Sequence, residues 1–224
     1  MNTALLIFTK YPHPGNVKTR LAATVGQMLA TEFHARCAEN TFRQADAVQD
    51  SMDVSIWYAG VHDEDAMRSW IANTDHSFPI IPQLGKDLGE RLKYAAVHTF
   101  ETSAATSVLI IGTDTPDISS DILRQARIAL LTKDIVIGPA FDGGYYLIGM
   151  NHFYPSLFED IAWSSPVVAL QTIEKAKELN LSIAMLDLLI DIDTIHDLNH
   201  WLLLETTPHN HPLYPLALQI RTHE

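Results

Sequence analysis

Ser107-Val108-Leu109-Ile110-Ile111-Gly112-Thr113-Asp114-Thr115-Pro116-Asp117 reads as an apolar strand that runs out into a turn and delivers a carboxylate there. In open α/β sheets, ligands bind just beyond the carboxyl ends of the strands, so chain order alone puts Asp114 where chemistry is expected. The plainer reading of Asp114 is a cap for the following helix. Ser119, Ser120 and Asp121 can cap that helix unaided, which leaves Asp114 for a metal or catalytic role. Asp117, after a proline, reads as a turn or cap residue.

Similar runs lie on both sides of this stretch: Ala4 to Thr9, Val54 to Ala59, Pro79 to Pro82, Ile135 to Pro139, Tyr145 to Met150 and Ile183 to Leu186. Between them apolar residues recur at helical spacing, as with Leu21, Val25, Met28 and Leu29 on one face. Strands alternating with helices predict a mainly parallel sheet. The interval from Pro139 to Tyr145 is too short for a crossover helix and predicts a departure from parallel pairing. Ser165 before Pro166, and Asp193-Thr194 before Ile195, predict two late helix starts. The expected organisation is one domain over residues 1–205 and an irregular tail over 206–224, with His209 and His211 read as solvated.

The chain has 224 residues, 47% of them hydrophobic, enough for a large core in a single domain. Its net charge of -12 argues against sequence-independent binding to nucleic acid or to an anionic membrane. Acidic residues are absent before Glu32, where Lys10, Lys18 and Arg20 form a locally positive loop suited to a phosphate-bearing ligand. Cys37, the only cysteine, falls in a helical pattern, reads as core, and fits a reducing compartment. The first ten residues lack the features of a secretory signal and no later run approaches the length of a membrane span, so a cytoplasmic protein is expected.

Four further segments carry candidate chemistry. Phe8 to Leu21 is a loop with Gly15, leading from the first strand into the first helix, where backbone N–H groups and the side chains of Lys18 and Arg20 can meet phosphate oxygens. It matches neither a Walker loop nor a dinucleotide-binding fingerprint. Gln83 to Leu92 offers Gly85 and Gly89 for close backbone approach, Gln83 for reading a base edge, and Arg91 as a further substrate-binding residue; a turn and an ordinary helix start explain the same letters. Gly138 to Gly149 sets Asp142, Gly143 and Gly144 between two apolar strands, as either a D-G hairpin or a loop bringing Asp142 to a sugar or acceptor. Asp191-Ile192-Asp193-Thr194 can supply a second metal ligand or a helix cap. Its late position excludes the aspartate nucleophile of haloacid dehalogenase-type phosphatases, which follows the first strand.

Together, F-T-K-Y-P-H-P-G-N-V-K-T-R-L, Q-L-G-K-D-L-G-E-R-L, G-T-D-T-P-D, G-P-A-F-D-G-G-Y-Y-L-I-G and D-I-D-T-I-H-D-L make the chain, from Leu5 to about Trp201, resemble a bacterial glycosyltransferase-like family with the nucleotide-diphospho-sugar transferase (GT-A type) fold. Some members are named for arsenosugar biosynthesis. The resemblance implies a three-layer α/β/α sandwich around a seven-stranded mixed sheet. It also implies Mg²⁺ or Mn²⁺ held by Asp114, with Asp193 completing the site and Asp191 as the alternative, and Lys18 and Arg20 facing phosphates. Asp142 is implied as the acid that contacts the donor sugar or serves as base on the acceptor. The chain departs from the wider pattern in lacking the glycine-rich loop of sugar nucleotidyltransferases, and in carrying Ile195-His196 where Pro-Glu is common.

The leading expectation is a metal-dependent glycosyltransferase acting on a nucleotide-sugar donor and a small-molecule acceptor. Two others stand beside it. One is a nucleotidyltransferase that releases pyrophosphate, since K-T-R-L also resembles phospholactate guanylyltransferases; the other is a non-catalytic nucleotide-sugar binding protein.

Overall fold

A strand buried on both faces must be central to its sheet, and the apolar run before Asp114 is. The computed structural model describes residues 2–60, 64–74, 76–204 and 209–222. Its strands are β1 (Thr3–Lys10), β2 (Met52–Ala59), β3 (Ile80–Pro82), β4 (Ser107–Ile111), β5 (Ile135–Pro139), β6 (Tyr145–Met150) and β7 (Ile183–Met185), each close to its predicted run. They form one seven-stranded sheet in the order β3-β2-β1-β4-β6-β5-β7. β6 runs antiparallel to both β4 and β5, and all other pairings are parallel. The short link before Tyr145 is thus a hairpin, as its length requires.

Successive strand residues face opposite layers. Leu5, Ile7, Ile56, Leu109 and Ile111 pack with Ala38 and Phe42 of α2 (Gln27–Asp46) and with Leu123 and Ala126 of α5 (Ser120–Ala129). Ala4, Leu6, Val108 and Ile110 meet Leu92 and Ala96 of α4 (Leu88–Thr102) and Ala176 of α6 (Val168–Glu178). This is a three-layer α/β/α fold, with α3 (Glu64–Ala72) on the side of α2. Each fully buried Leu, Ile or Phe contributes roughly 1.5–3 kcal/mol.

Four details differ from the sequence reading. The first helical stretch is broken: α1 (Thr19–Val25) ends at Gly26, whose φ of 84° has no α-helical equivalent, so Leu21 is buried while Met28 is 73% exposed. α6 starts at Val168 without a side-chain cap, because the Ser165 hydroxyl donates to the Ala162 carbonyl (2.5 Å). Residues 209–222, the described part of the expected 206–224 tail, are not irregular. They contain α8 (Tyr214–Arg221), which packs Ala217 and Ile220 with Phe33, Cys37 and with Trp201 of α7 (Ile195–Leu203) in a third apolar cluster beside the sheet. His211 is not solvated either: its ring meets Trp201 edge-on with centroids 5.1 Å apart and Nε2–H donates to the Pro116 carbonyl (3.2 Å).

Candidate functional site

β1 leads toward β2 on one side while β4 lies on its other side, so the sheet has its topological switch point between them. Beyond the carboxyl ends of these strands lies a cavity of about 590 Å³. Lys10, Lys18, Arg20, Gln83, Arg91, Asp114 and Asp193 all line it, as does Asp191. Tyr145 and Tyr146 join them, so residues from five separated segments meet in one place.

At its centre stands an ion triplet. Lys18 Nζ lies 2.5 Å from Asp114 Oδ1 and 3.1 Å from Asp193 Oδ1, with the lysine side chain 2% exposed and the acids 46% and 44% exposed. The ammonium is thus behind the carboxylates, not in front of them. Burial alone would raise the Asp114 pKa, but the Lys18 charge and His34 outweigh it and hold this carboxyl well below the usual range. Burial likewise opposes the Lys18 charge, and Asp114 and Asp193 overcome it to raise the lysine above its ordinary value. Lys18 itself adopts a left-handed backbone (φ 45°, ψ 42°), a conformation that costs a residue with a β-carbon about 1–2 kcal/mol.

The segment around Asp193 reaches the site through backbone. Ile192 N–H donates to the Asp114 carbonyl (3.0 Å), and Phe141 N–H to the Leu189 carbonyl (2.9 Å), so residues 189–193 thread between the Asp114 loop and the Asp142 turn. Thr194 then caps α7 in a reciprocal box with Asp197, which sets Asp193 at a defined helix start. Asp191 accepts a hydrogen bond from the Thr115 hydroxyl. Burial pushes its pKa up to about 7, the Thr115 bond opposing and the Asp114 charge adding.

The remaining predicted residues sort by position. The exposed Lys10 and Arg20 and the half-buried Arg91 present cations to the cavity, Arg91 also donating from Nε to the Gly85 carbonyl (3.1 Å). Gln83 lines the cavity, but its amide donates to the Trp57 carbonyl (2.8 Å). Gly15, Gly85, Gly143 and Gly144 lie outside the cavity wall. Gly143 is required by packing, since a β-carbon there would sit 2.0 Å from the Pro166 carbonyl oxygen. Asp142 is not in the wall, although its charge acts on Asp191, which is, and its Oδ1 accepts from Gly144 N–H (2.8 Å). α1 has only seven residues, so side-chain cations rather than a long helix dipole supply the positive field.

Two site residues escaped the sequence reading. His34 is buried, donates from Nε2 to the Lys10 carbonyl (3.1 Å), and places Nδ1 3.8 Å from Asp114 Oδ1. Its signal was available: it shares the buried face of α2 with Ala30, Phe33, Cys37 and Ala38, where a polar ring needs a reason. Ser164, in the cavity wall with a left-handed φ of 60°, carried no such pattern.

No group of three or more His, Cys, Asp or Glu side chains among the described residues could hold a metal alone. Magnesium and manganese ions bound with phosphates commonly take only one or two protein carboxylates and complete their shell with waters and phosphate oxygens. Asp114 and Asp193, each open to the cavity, fit that habit.

Residues 42–165 match the family model described as "Uncharacterized protein conserved in bacteria (DUF2064)", and the chain belongs to that family. It is 32% identical, over 100% of its length and 99% of the other chain, to the "putative nucleotide-diphospho-sugar transferase" from Desulfovibrio desulfuricans G20, with a TM-score of 0.89. It shares its fold with the inositol-1-phosphate CTP transferase from T. maritima (12% identity, TM-score 0.54, 99% and 96% of the chains covered). Another fold relative is glucosyl-3-phosphoglycerate synthase from Mycobacterium tuberculosis, solved with Mg²⁺ and UDP (11% identity, TM-score 0.52, 85% and 70% covered). No curated protein matches the sequence. The fold is that of the nucleotide-diphospho-sugar transferases, and no helix among the described residues is long and apolar enough to cross a membrane.

Proposed function

We propose that this chain is a metal-dependent glycosyltransferase that moves a sugar from a nucleotide-diphospho-sugar to the hydroxyl of a small-molecule acceptor. The observation that carries this reading is the convergence of Lys10, Arg20 and Arg91 with the Asp114–Asp193 pair in one cavity at the switch point of the sheet. Cations facing an acid pair match a diphosphate that must be both gripped and bridged to a metal.

In this reading Asp114 and Asp193 would hold Mg²⁺ or Mn²⁺ through the oxygens that face the cavity. Bound there, the ion supplies charge neutralisation for the leaving nucleoside diphosphate. Arg20, Arg91 and Lys10 bind the phosphate oxygens and orient the donor. The Trp57 and Tyr58 carbonyls hold Gln83 through its amide and backbone N–H groups, fixing it in the wall beside the nucleotide. As the bond from the sugar to the diphosphate breaks, an acceptor oxygen takes its place and loses a proton. Asp142, whose charge acts on Asp191 and whose Oδ2 lies outside its own turn's hydrogen bond, is the acid assigned to receive that proton.

The test is product analysis with a panel of nucleotide sugars and Mn²⁺, water standing in as a slow acceptor. Release of nucleoside diphosphate that stops with EDTA is the expected result. Release of pyrophosphate from nucleoside triphosphates with a phosphorylated acceptor would replace the reading by nucleotidyl transfer. Binding of nucleotide sugar with no turnover under any acceptor would leave a binding protein.

A further inference from the structure

We infer that Lys18 closes the Asp114–Asp193 pair to a free divalent cation and admits one only together with a diphosphate. The inference rests on the metal-dependent reading above and adds a rule of binding to it. Its first support is geometric. One ammonium is bonded to Oδ1 of both acids that would hold the metal, from the protein side of the pair. Only the cavity-facing oxygens are left for an incoming ion, so most of its shell must come from water or from phosphate oxygens.

The second support is that Lys18 is a fixture. It is buried between Val17 (3% exposed) and the helix that begins at Thr19, and its carbonyl accepts from Ala22 N–H (2.8 Å) to open α1. Its left-handed backbone aims the side chain inward. Moving the ammonium away would break both of its ion pairs and displace a side chain that is only 2% exposed.

The third support is charge. The cavity wall sets Lys10, Lys18, Arg20 and Arg91 against Asp87, Asp114, Asp191 and Asp193, so its charges are already balanced and a bare divalent ion would leave it positive. A diphosphate brings the negative charge and the missing oxygens at once. Metal and nucleotide then bind cooperatively, and the coupling is reciprocal.

The experiment titrates the whole protein with Mn²⁺ alone, following loss of the paramagnetic resonance signal of aqueous Mn²⁺, in wild type and in Lys18→Met. Removing the ammonium is expected to tighten binding of Mn²⁺ alone by more than about tenfold. In parallel, wild-type melting is measured with Mn²⁺, with each of UDP, GDP, CDP and ADP, and with both components. Only the combination of Mn²⁺ with a nucleoside diphosphate should raise the melting temperature clearly.

Wild type binding Mn²⁺ alone as tightly as Lys18→Met, or melting equally high with Mn²⁺ alone as with the pair, would overturn the inference and leave the transferase reading standing. No Mn²⁺ effect in any protein or mixture would instead remove the metal-dependent reading and the inference with it. Should Lys18→Met fail to fold, the wild-type melting series decides by itself.

Discussion

Asp114 and Asp117 stand three residues apart in one loop, carry the same side chain, and have opposite fates. Asp114 faces the cavity, pairs with the Lys18 ammonium and is held ionised. Asp117 faces the other way, where Trp201 Nε1–H donates to it (2.8 Å), and burial raises its pKa against that bond. The first is paired with Lys18 and remains 46% exposed to the cavity; the second spends its hydrogen bond on docking α7. What separates them is the direction in which a turn points each carboxylate, and what the rest of the chain puts there.

The largest effect should come from the cavity side. Asp114→Asn is expected to lower metal-dependent release of nucleoside diphosphate at least about 100-fold, the scale of several kcal/mol of charge stabilisation, while the circular dichroism spectrum stays native. Activity at the wild-type level would erase the distinction between the two acids. Asp117→Ala should do the reverse: it leaves the buried Trp201 indole without this acceptor and costs about 1–3 kcal/mol of stability, read as a lower urea midpoint, with turnover at low temperature nearly unchanged.

Thr194→Ala probes the element the two sides share. Losing the capping box of α7 should cost about 0.5–2 kcal/mol, and because Asp193 immediately precedes the cap, turnover should fall as well, though less than in Asp114→Asn. The smallest effect concerns pH behind the loop. His211 is best accommodated neutral: Nε2–H donates to the Pro116 carbonyl while Nδ1 accepts from Leu213 N–H (3.2 Å), and burial lowers its pKa below the ordinary 6.5. The unfolded chain then binds the proton more readily, so this contribution is present above about pH 6.5 and is lost as the pH falls. After allowance for partial exposure it should be less than about 1 kcal/mol. His211→Phe should flatten wild-type melting between pH 7 and pH 5 by that amount, and an unchanged pH slope would show that His211 contributes nothing.

The same contrast explains what was legible beforehand. Leu109, Ile110 and Ile111 announce a doubly buried strand because both faces of a central strand covered by helices on each side must be apolar, and the acid after them had to emerge at its carboxyl end. Lys18 was legible as a cation near phosphates, but not as the counter-ion of two acids from residues 114 and 193. That pairing depends on a left-handed turn at Lys18 and on a backbone bond from Ile192 to Asp114. His34 needed the burial of α2 to acquire meaning. Tyr214 to Arg221 read as a proline-rich tail, because its Leu213, Ala217 and Ile220 spacing only becomes a face once α7 and α2 offer a surface to cover it.

By itself the sequence determined the strand order of events along the chain, the antiparallel hairpin before Tyr145, and the set of acids and bases from which a site can be made. These follow from periodicity, loop length and residue chemistry, all local properties. Only the tertiary structure decided that Lys18 faces Asp114 and Asp193, that Asp142 stands outside the cavity wall, and that Asp117 holds a helix. Those are distances between segments far apart in the chain, and distance across a fold is set by packing that no single segment contains.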